Sequence, residues 1–314
     1  MSNLTHIGFL GLGQMGAPMA ERLLGPDVQL HVFDPREEAM APFVARGALA
    51  CASPAAVADA ATIVFACLPS GKVSEAAALG PDGVVHGRAV RIHAEMSTIG
   101  RATVQRIADG LRARSVAMVD APVSGGPAGA RAGTLAMLAT GAPAAVEALR
   151  PWLLRIGRRV FVLGEQPGLA QVMKLVNNLL FAANAANAFE AFALGARAGL
   201  DPDTMVEMVN AGTGRSFASS DVMPSVLSGA LRFGATIAVL DKDVALGLEE
   251  ARSLDVPMWG IEQAARLWRF AASQGRGGDD ITELVRILEG WAGAEIRSRT
   301  AHDDDPASGG AGQA

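Results

Sequence analysis

THIGFLGLGQMGAPMAERLL, residues 5–24, carries an apolar, strand-like run into GLGQMG, Gly11 to Gly16, and then into the helical pattern APMAERLL. Strand, Gly-x-Gly-x-x-Gly turn and helix, in that order, are the context of a dinucleotide-binding fingerprint. In that reading Gly11 permits the tight turn, Gly13 lets the backbone approach a pyrophosphate, and Gly16 lets the helix sit close to the strand. Leu12, Gln14 and Met15 complete the loop, and the N-terminus of the helix attracts the phosphates. Taken alone the fingerprint is weak, because glycines also serve tight strand-to-helix packing.

Asp34 strengthens it. This carboxylate stands eighteen residues past Gly16, at the end of the next strand-like run QLHVFD, where it can accept hydrogen bonds from adenosine ribose hydroxyls and repel a 2′-phosphate. Arg36, two residues on, offers a guanidinium that could pair with such a phosphate. The position of Asp34 favours NAD over NADP.

Downstream, TIVFACLP, VRIHAEMS, VAMVDAPVSG and RVFVLG alternate with helical patterns up to about residue 160. That rhythm predicts βαβ units and a parallel sheet covered by helices. Strand signals stop after residue 167, and an alanine-rich, proline-free segment from Gly168 to about Ala198 predicts one long helix. Asp201-Pro202 reads as an N-cap followed by proline at the first helical position. Ile237, Leu240, Val244, Leu248 and Ala251 form a helical stripe, and Asp280 with Glu283 resembles a capping box. The second half is therefore expected to be all-helical. The expected organisation is an NAD-binding domain over 1–165, an all-α domain over 166–296 and a disordered tail over 297–314, rich in Asp, Gly and Ser.

A chain of 314 residues, half of them hydrophobic, can bury a substantial core. Its net charge of −5, with both signs interspersed, argues against nucleic acid or an anionic membrane surface as partner. Charge or glycine interrupts the apolar stretches before the roughly 20 residues of a spanning helix, and the first residues lack a basic signal-peptide region. The expectation is a cytoplasmic protein. Cys51 and Cys67 read as structural thiols, His31, His86 and His93 as structural histidines, and no cluster has metal-ligand spacing.

Two further stretches carry chemistry. DAPVSGG, residues 120–126, follows an apolar run, so Ser124 with the N–H groups of Gly125 and Gly126 can form an anion-binding concavity, or serve only as a flexible loop. In QVMKLVNN, residues 171–178, Lys174 and Asn178 lie one helical turn apart, with Asn177 beside them and Gln171 one turn before, so all four could point into a cleft. A lysine there can act as general acid or base near a carbonyl oxygen. By spacing alone, a lysine snorkelling from a buried helix fits equally well.

Together, FLGLGQMGAPMA, CLPS (67–70), EMSTIG (95–100), DAPVSGGPAGARAGTLA (120–136), GLAQVMKLVNN (168–178) and LDKDVALGLEEA (240–251) resemble, in the same order, the β-hydroxyacid dehydrogenase family of 3-hydroxyisobutyrate dehydrogenase-like enzymes. The likeness covers about residues 5 to 292. It implies an α/β Rossmann-type dinucleotide-binding domain, a long interdomain helix and an all-α C-terminal domain that builds a homodimer or homotetramer. It also implies oxidation of a small β-hydroxy acid by NAD, with Lys174 as the acid/base and Asn178 its neighbour in the substrate site. By the same likeness Ser124, Gly125 and Gly126 hold the substrate carboxylate, Thr98 and Lys242 lie near the nicotinamide, and Leu68 and Pro69 near the middle of the cofactor. Ala170 replaces a glycine usual in the family. Arg215 falls in the stretch where the family places specificity residues and either holds a second anionic group on the substrate or faces solvent. Imine reduction on the same scaffold, or NAD binding without turnover, are the rival functions.

Overall fold

The computed structural model describes residues 4–298, so the tail expected to be disordered lies outside the described residues from 299 onward. Two compact units, Met1–Val176 and Asn177–Ala314, divide inside one continuous helix, Leu169–Arg197.

In the first unit, β1 (Thr5–Leu10), β2 (Val28–Phe33), β3 (Leu49–Ala50), β4 (Ile63–Ala66), β5 (Ile92–Glu95) and β6 (Ala117–Asp120) form one sheet in the order β3-β2-β1-β4-β5-β6. Every neighbouring pair is parallel. Helices cover both faces, which is why these strands read as continuous apolar runs. Ile7 and Phe9 of β1 pack into one core with Phe65, Ala94 and Val119, whereas Leu10 packs into the other with Val64, Ala66 and Met118. Because the strands are parallel, all their carboxyl ends open on one edge, the edge where such sheets bind ligands.

RVFVLG, expected in this sheet, lies elsewhere. It forms most of β9 (Gly157–Val162), in a second sheet of order β7-β8-β9 with β7 (Val123–Ser124) and β8 (Leu135–Ala139). β7 and β8 are antiparallel, and β8 and β9 parallel. The sequence LAMLA of β8 has no β-branched residue and is composed of good helix formers, so local propensity conceals a strand that burial imposes. Asp120 and Thr140 bridge the two sheets through a pair of backbone hydrogen bonds of 2.9 Å.

The described part of the second unit is helical. Ala182, Ala185, Ala186 and Phe189 of the long helix enter its core, and the buried Trp268 indole N–H donates to the Ala182 carbonyl at 3.0 Å. Asp201 caps Pro202–Ala211 by accepting from Thr204 N–H at 2.9 Å. Ile237, Leu240, Val244, Leu248 and Ala251 are all buried on Ile237–Ser253, as the stripe predicted. The expected capping box is only half made. Asp280 accepts from Thr282 N–H at 3.0 Å, but Glu283 takes a hydrogen bond from Arg276 at 3.2 Å instead of reaching back. The intervening residues Ile281–Glu283 form a 3₁₀ turn, which alters the reach that a reciprocal box requires.

The Leu169–Arg197 helix is, by length and composition, apolar enough to cross a membrane, contrary to the expectation that charge interrupts every such stretch. It carries Lys174 and Glu190, and its alanines and phenylalanines pack into protein core, as core helices do.

Candidate active site

The glycine-rich turn follows β1 directly. A methyl at Gly16 would fall on the carbonyl oxygen of Gly11 and within 2.9 Å of its carbon, so only glycine lets this helix start against the strand. Gly13 has nothing within 4 Å of where a side chain would begin, leaving open space beside the loop, as a bound pyrophosphate requires. The residues therefore fit a dinucleotide. Gly16→Ala is expected to cost about 1–3 kcal/mol of stability by overpacking and to weaken NADH binding at least tenfold, read by urea unfolding and cofactor fluorescence. Unchanged values in both would refute the close-packing account.

Asp34 follows β2 and is buried. One carboxylate oxygen accepts from Leu12 N–H at 2.8 Å and Arg36 Nη2 at 3.1 Å, and the other from Arg36 N–H and Nε, both at 3.0 Å. Burial alone would raise the Asp34 pKa. The Arg36 fork and the two backbone N–H groups outweigh it and hold the carboxyl below the usual range. Arg36, singled out from sequence as a phosphate partner, is thus occupied with Asp34.

Leu68 and the exposed Pro69 follow β4, and the half-buried Thr98 follows β5. Ser97 ties these two loops together, its hydroxyl accepting from Leu68 N–H at 2.7 Å. Ser124 stands four residues past the end of β6, half-buried. Gly125 and Gly126 after it have φ of 132° and 64°, left-handed values that disfavour any residue with a side chain. The sheet thus gathers the glycine loop, Asp34, Leu68, Pro69, Thr98 and the Ser124 loop on its carboxyl edge.

Lys174 is half-buried in the second turn of its helix. Gln171 does not point into an open cleft as expected. It is fully buried and spends its amide on Ser97, Ile99, Gly100 and Asp120. Ala170 is buried within the first turn of the helix, which begins at Leu169.

In the second unit, Asn177 donates to the Asn178 side-chain oxygen at 3.1 Å, and buried Asn178 donates to Asp243 at 2.7 Å. Asp243 is also paired with Lys242 at 2.8 Å. Asp243 was missed from sequence, although a carboxylate on the buried stripe of an amphipathic helix signals a polar partner. Arg215 lies exposed in the loop after Pro202–Ala211, outside this hydrogen-bonded chain.

Two families match the chain. The one described as the NAD binding domain of 6-phosphogluconate dehydrogenase matches residues 6–164, and the one described as NAD-binding of NADP-dependent 3-hydroxyisobutyrate dehydrogenase matches residues 168–288. The chain is 34% identical over 298 residues to 2-(hydroxymethyl)glutarate dehydrogenase of Eubacterium barkeri, covering 94% of this chain and 99% of that enzyme. It is 36% identical over 299 residues to 3-hydroxyisobutyrate dehydrogenase of Pseudomonas aeruginosa, covering 91% and 99%. The crystal structure of 3-hydroxyisobutyrate dehydrogenase from Salmonella typhimurium superposes with a TM-score of 0.80 at 30% identity, covering 90% of this chain and 99% of that one. These matches run almost end to end and take in the lysine helix as well as the Rossmann sheet, and by them the chain belongs to the β-hydroxyacid dehydrogenase family, oxidoreductases built on an NAD(P)-binding fold.

Proposed function

We propose that this protein is an NAD-dependent dehydrogenase of a small β-hydroxy acid, close in size to 3-hydroxyisobutyrate, acting reversibly in the cytoplasm as a homodimer or homotetramer. In this reading residues 1–165 bind the dinucleotide and 166–296 complete the substrate site and the subunit contacts. The bound nicotinamide supplies the hydride acceptor. Lys174 takes the hydroxyl proton as the carbinol carbon loses hydride, so the alcohol leaves as an aldehyde or ketone. Ser124 and the N–H groups of Gly125 and Gly126 hold the substrate carboxylate, and Asn177 and Asn178 are assigned to the substrate as neighbours of Lys174 on its helix.

The observation that carries this reading is the start of the lysine helix, bound through Gln171 to the end of β6 and to the loop bearing Thr98. Its test is NAD+ reduction by purified protein across small 3-hydroxy acids with and without a second carboxylate or sulfonate. Turnover supports it, whereas NAD binding without turnover on any acid would turn the assignment toward imine reduction or a non-catalytic role. Relatives named for a dicarboxylate and for a monocarboxylate are about equally similar, at 34% and 36% identity, so similarity does not choose between them. Preference for doubly anionic acids that is lost in Arg215→Ala would assign Arg215 to the second anion.

NAD is favoured because a 2′-phosphate would meet the ionised Asp34. All four acceptor positions of that carboxylate are filled, two of them by the Arg36 guanidinium, so a ribose diol can replace the guanidinium bond for bond. Asp34→Asn removes the repulsion and releases Arg36. The ratio of kcat/KM for NAD+ over NADP+ is expected to fall 10- to 100-fold, about 1–3 kcal/mol of charge interaction near a protein surface. An unchanged ratio would exclude Asp34 as the discriminating residue.

A further inference from the structure

The Gln171 side chain is fully committed within the first unit. Its oxygen accepts from Ile99 N–H at 2.9 Å and Gly100 N–H at 3.1 Å, and its amide nitrogen donates to the Ser97 carbonyl at 3.0 Å and to Asp120 at 2.7 Å. An amide offers two acceptor positions and two donors, and all four are used. Its backbone N–H also donates to Asp120 at 3.2 Å, beside Gly168 N–H at 3.1 Å on the same carboxylate oxygen. Gln171 and Asp120 are both fully buried.

The partners come from three separate segments, each bearing residues of the site. Ser97, Ile99 and Gly100 enclose Thr98. Asp120 ends the strand that leads to Ser124. Gly168 precedes, and Gln171 lies in, the first turn of the helix that carries Lys174 three residues later. Leucine would leave two N–H groups and a carbonyl buried without partners, glutamate would lose both donors and set a second carboxylate against Asp120, and asparagine is one methylene too short.

We propose that Gln171, anchored on Asp120, is a positioning residue of the reaction: it fixes Lys174 in register with the Thr98 loop and the Ser124 loop. This rests on the reading of Lys174 as the proton partner. Proton transfer needs heavy atoms within hydrogen-bond reach, and misplacement by about 1 Å costs up to 100-fold in rate.

The test compares full-length wild type, Gln171→Leu, Gln171→Asn and Lys174→Ala, using NAD+ and the best acid of the panel, at a temperature where each is folded by circular dichroism. In Gln171→Leu, kcat is expected to fall roughly 10- to 100-fold. NADH affinity by fluorescence should stay within a few-fold, because the glycine loop and Asp34 make none of these bonds. The limb of the kcat pH profile that disappears in Lys174→Ala should shift in Gln171→Leu, a change that loss of packing alone does not produce. Gln171→Asn keeps an amide and serves if the leucine variant does not fold, with the same readings expected in milder form. Lower stability with kcat and the pH limb unchanged would overturn the positioning role. Turnover persisting in Lys174→Ala would instead overturn the reading of the lysine.

Discussion

In Lys174→Ala, turnover falls by about 10²- to 10⁴-fold, the usual contribution of a positioned acid or base, while NADH binding stays within a few-fold of wild type. Lys174 is half-buried on a helix whose first turn is bound to the sheet, so its side-chain nitrogen is carried by fixed backbone and not by a mobile loop. Truncation removes the proposed proton acceptor and leaves the groups that fit the nucleotide, the Gly11 to Gly16 loop and Asp34, where they are. Lys174→Arg is the sharper companion. It keeps the charge but gives a group that does not deprotonate in proteins, so activity should be lost there too. Steady-state rates with cofactor fluorescence on the same preparations decide the matter. Equal loss of binding and rate would make the lysine a cofactor contact, and a rate surviving in either variant would remove it from the proton path.

The parts of the candidate site that the sequence proposes are local. The strand-turn-helix of GLGQMG, the carboxylate ending QLHVFD and the lysine–asparagine spacing each depend on a few consecutive residues, and short-range geometry fixes what they can do. The stripe from Ile237 to Ala251 was readable for the same reason, since a helical period exposes its buried face. What escaped was set by partners distant in sequence. Gln171 looked like a cleft residue until Ser97 and Asp120, 74 and 51 residues away, closed around it. Asp243 gained its meaning from Asn178, 65 residues earlier. β8 is a strand of helix-forming residues, held extended by β7 and β9 on either side.

Asp120 gives the largest stability effect, and its sign is unusual for a carboxylate. Burial is the main cause that lifts its pKa from 3.8 to about 6, opposed by hydrogen bonds from Gln171 and Gly168 and assisted by the charge of Glu95. Glu95 lies opposite Asp120 on the neighbouring strand, and His93 sits two residues before it on that strand, its Nε2 4.0 Å from the Glu95 carboxylate. With the folded pKa above the unfolded one, the native state binds the proton more tightly. This group's contribution is fully present below pH 3.8 and is lost as pH rises through about 6. The displacement corresponds to about 3 kcal/mol. Asp120→Asn keeps the shape, removes the titration and leaves an amide facing donors. Its stability relative to wild type should therefore rise by about 3 kcal/mol between pH 3 and pH 8, whatever offset the lost hydrogen bonds impose. Urea unfolding of both proteins across that range measures the difference directly, and the other carboxylates, common to both, cancel. Parallel curves would mean that the ionised Asp120 is stabilised by its donors, the Gln171 amide, the Gln171 and Gly168 N–H groups and the Thr140 hydroxyl, as well as it is by water, and the clasp around Gln171 would then hold a full charge at no cost in stability.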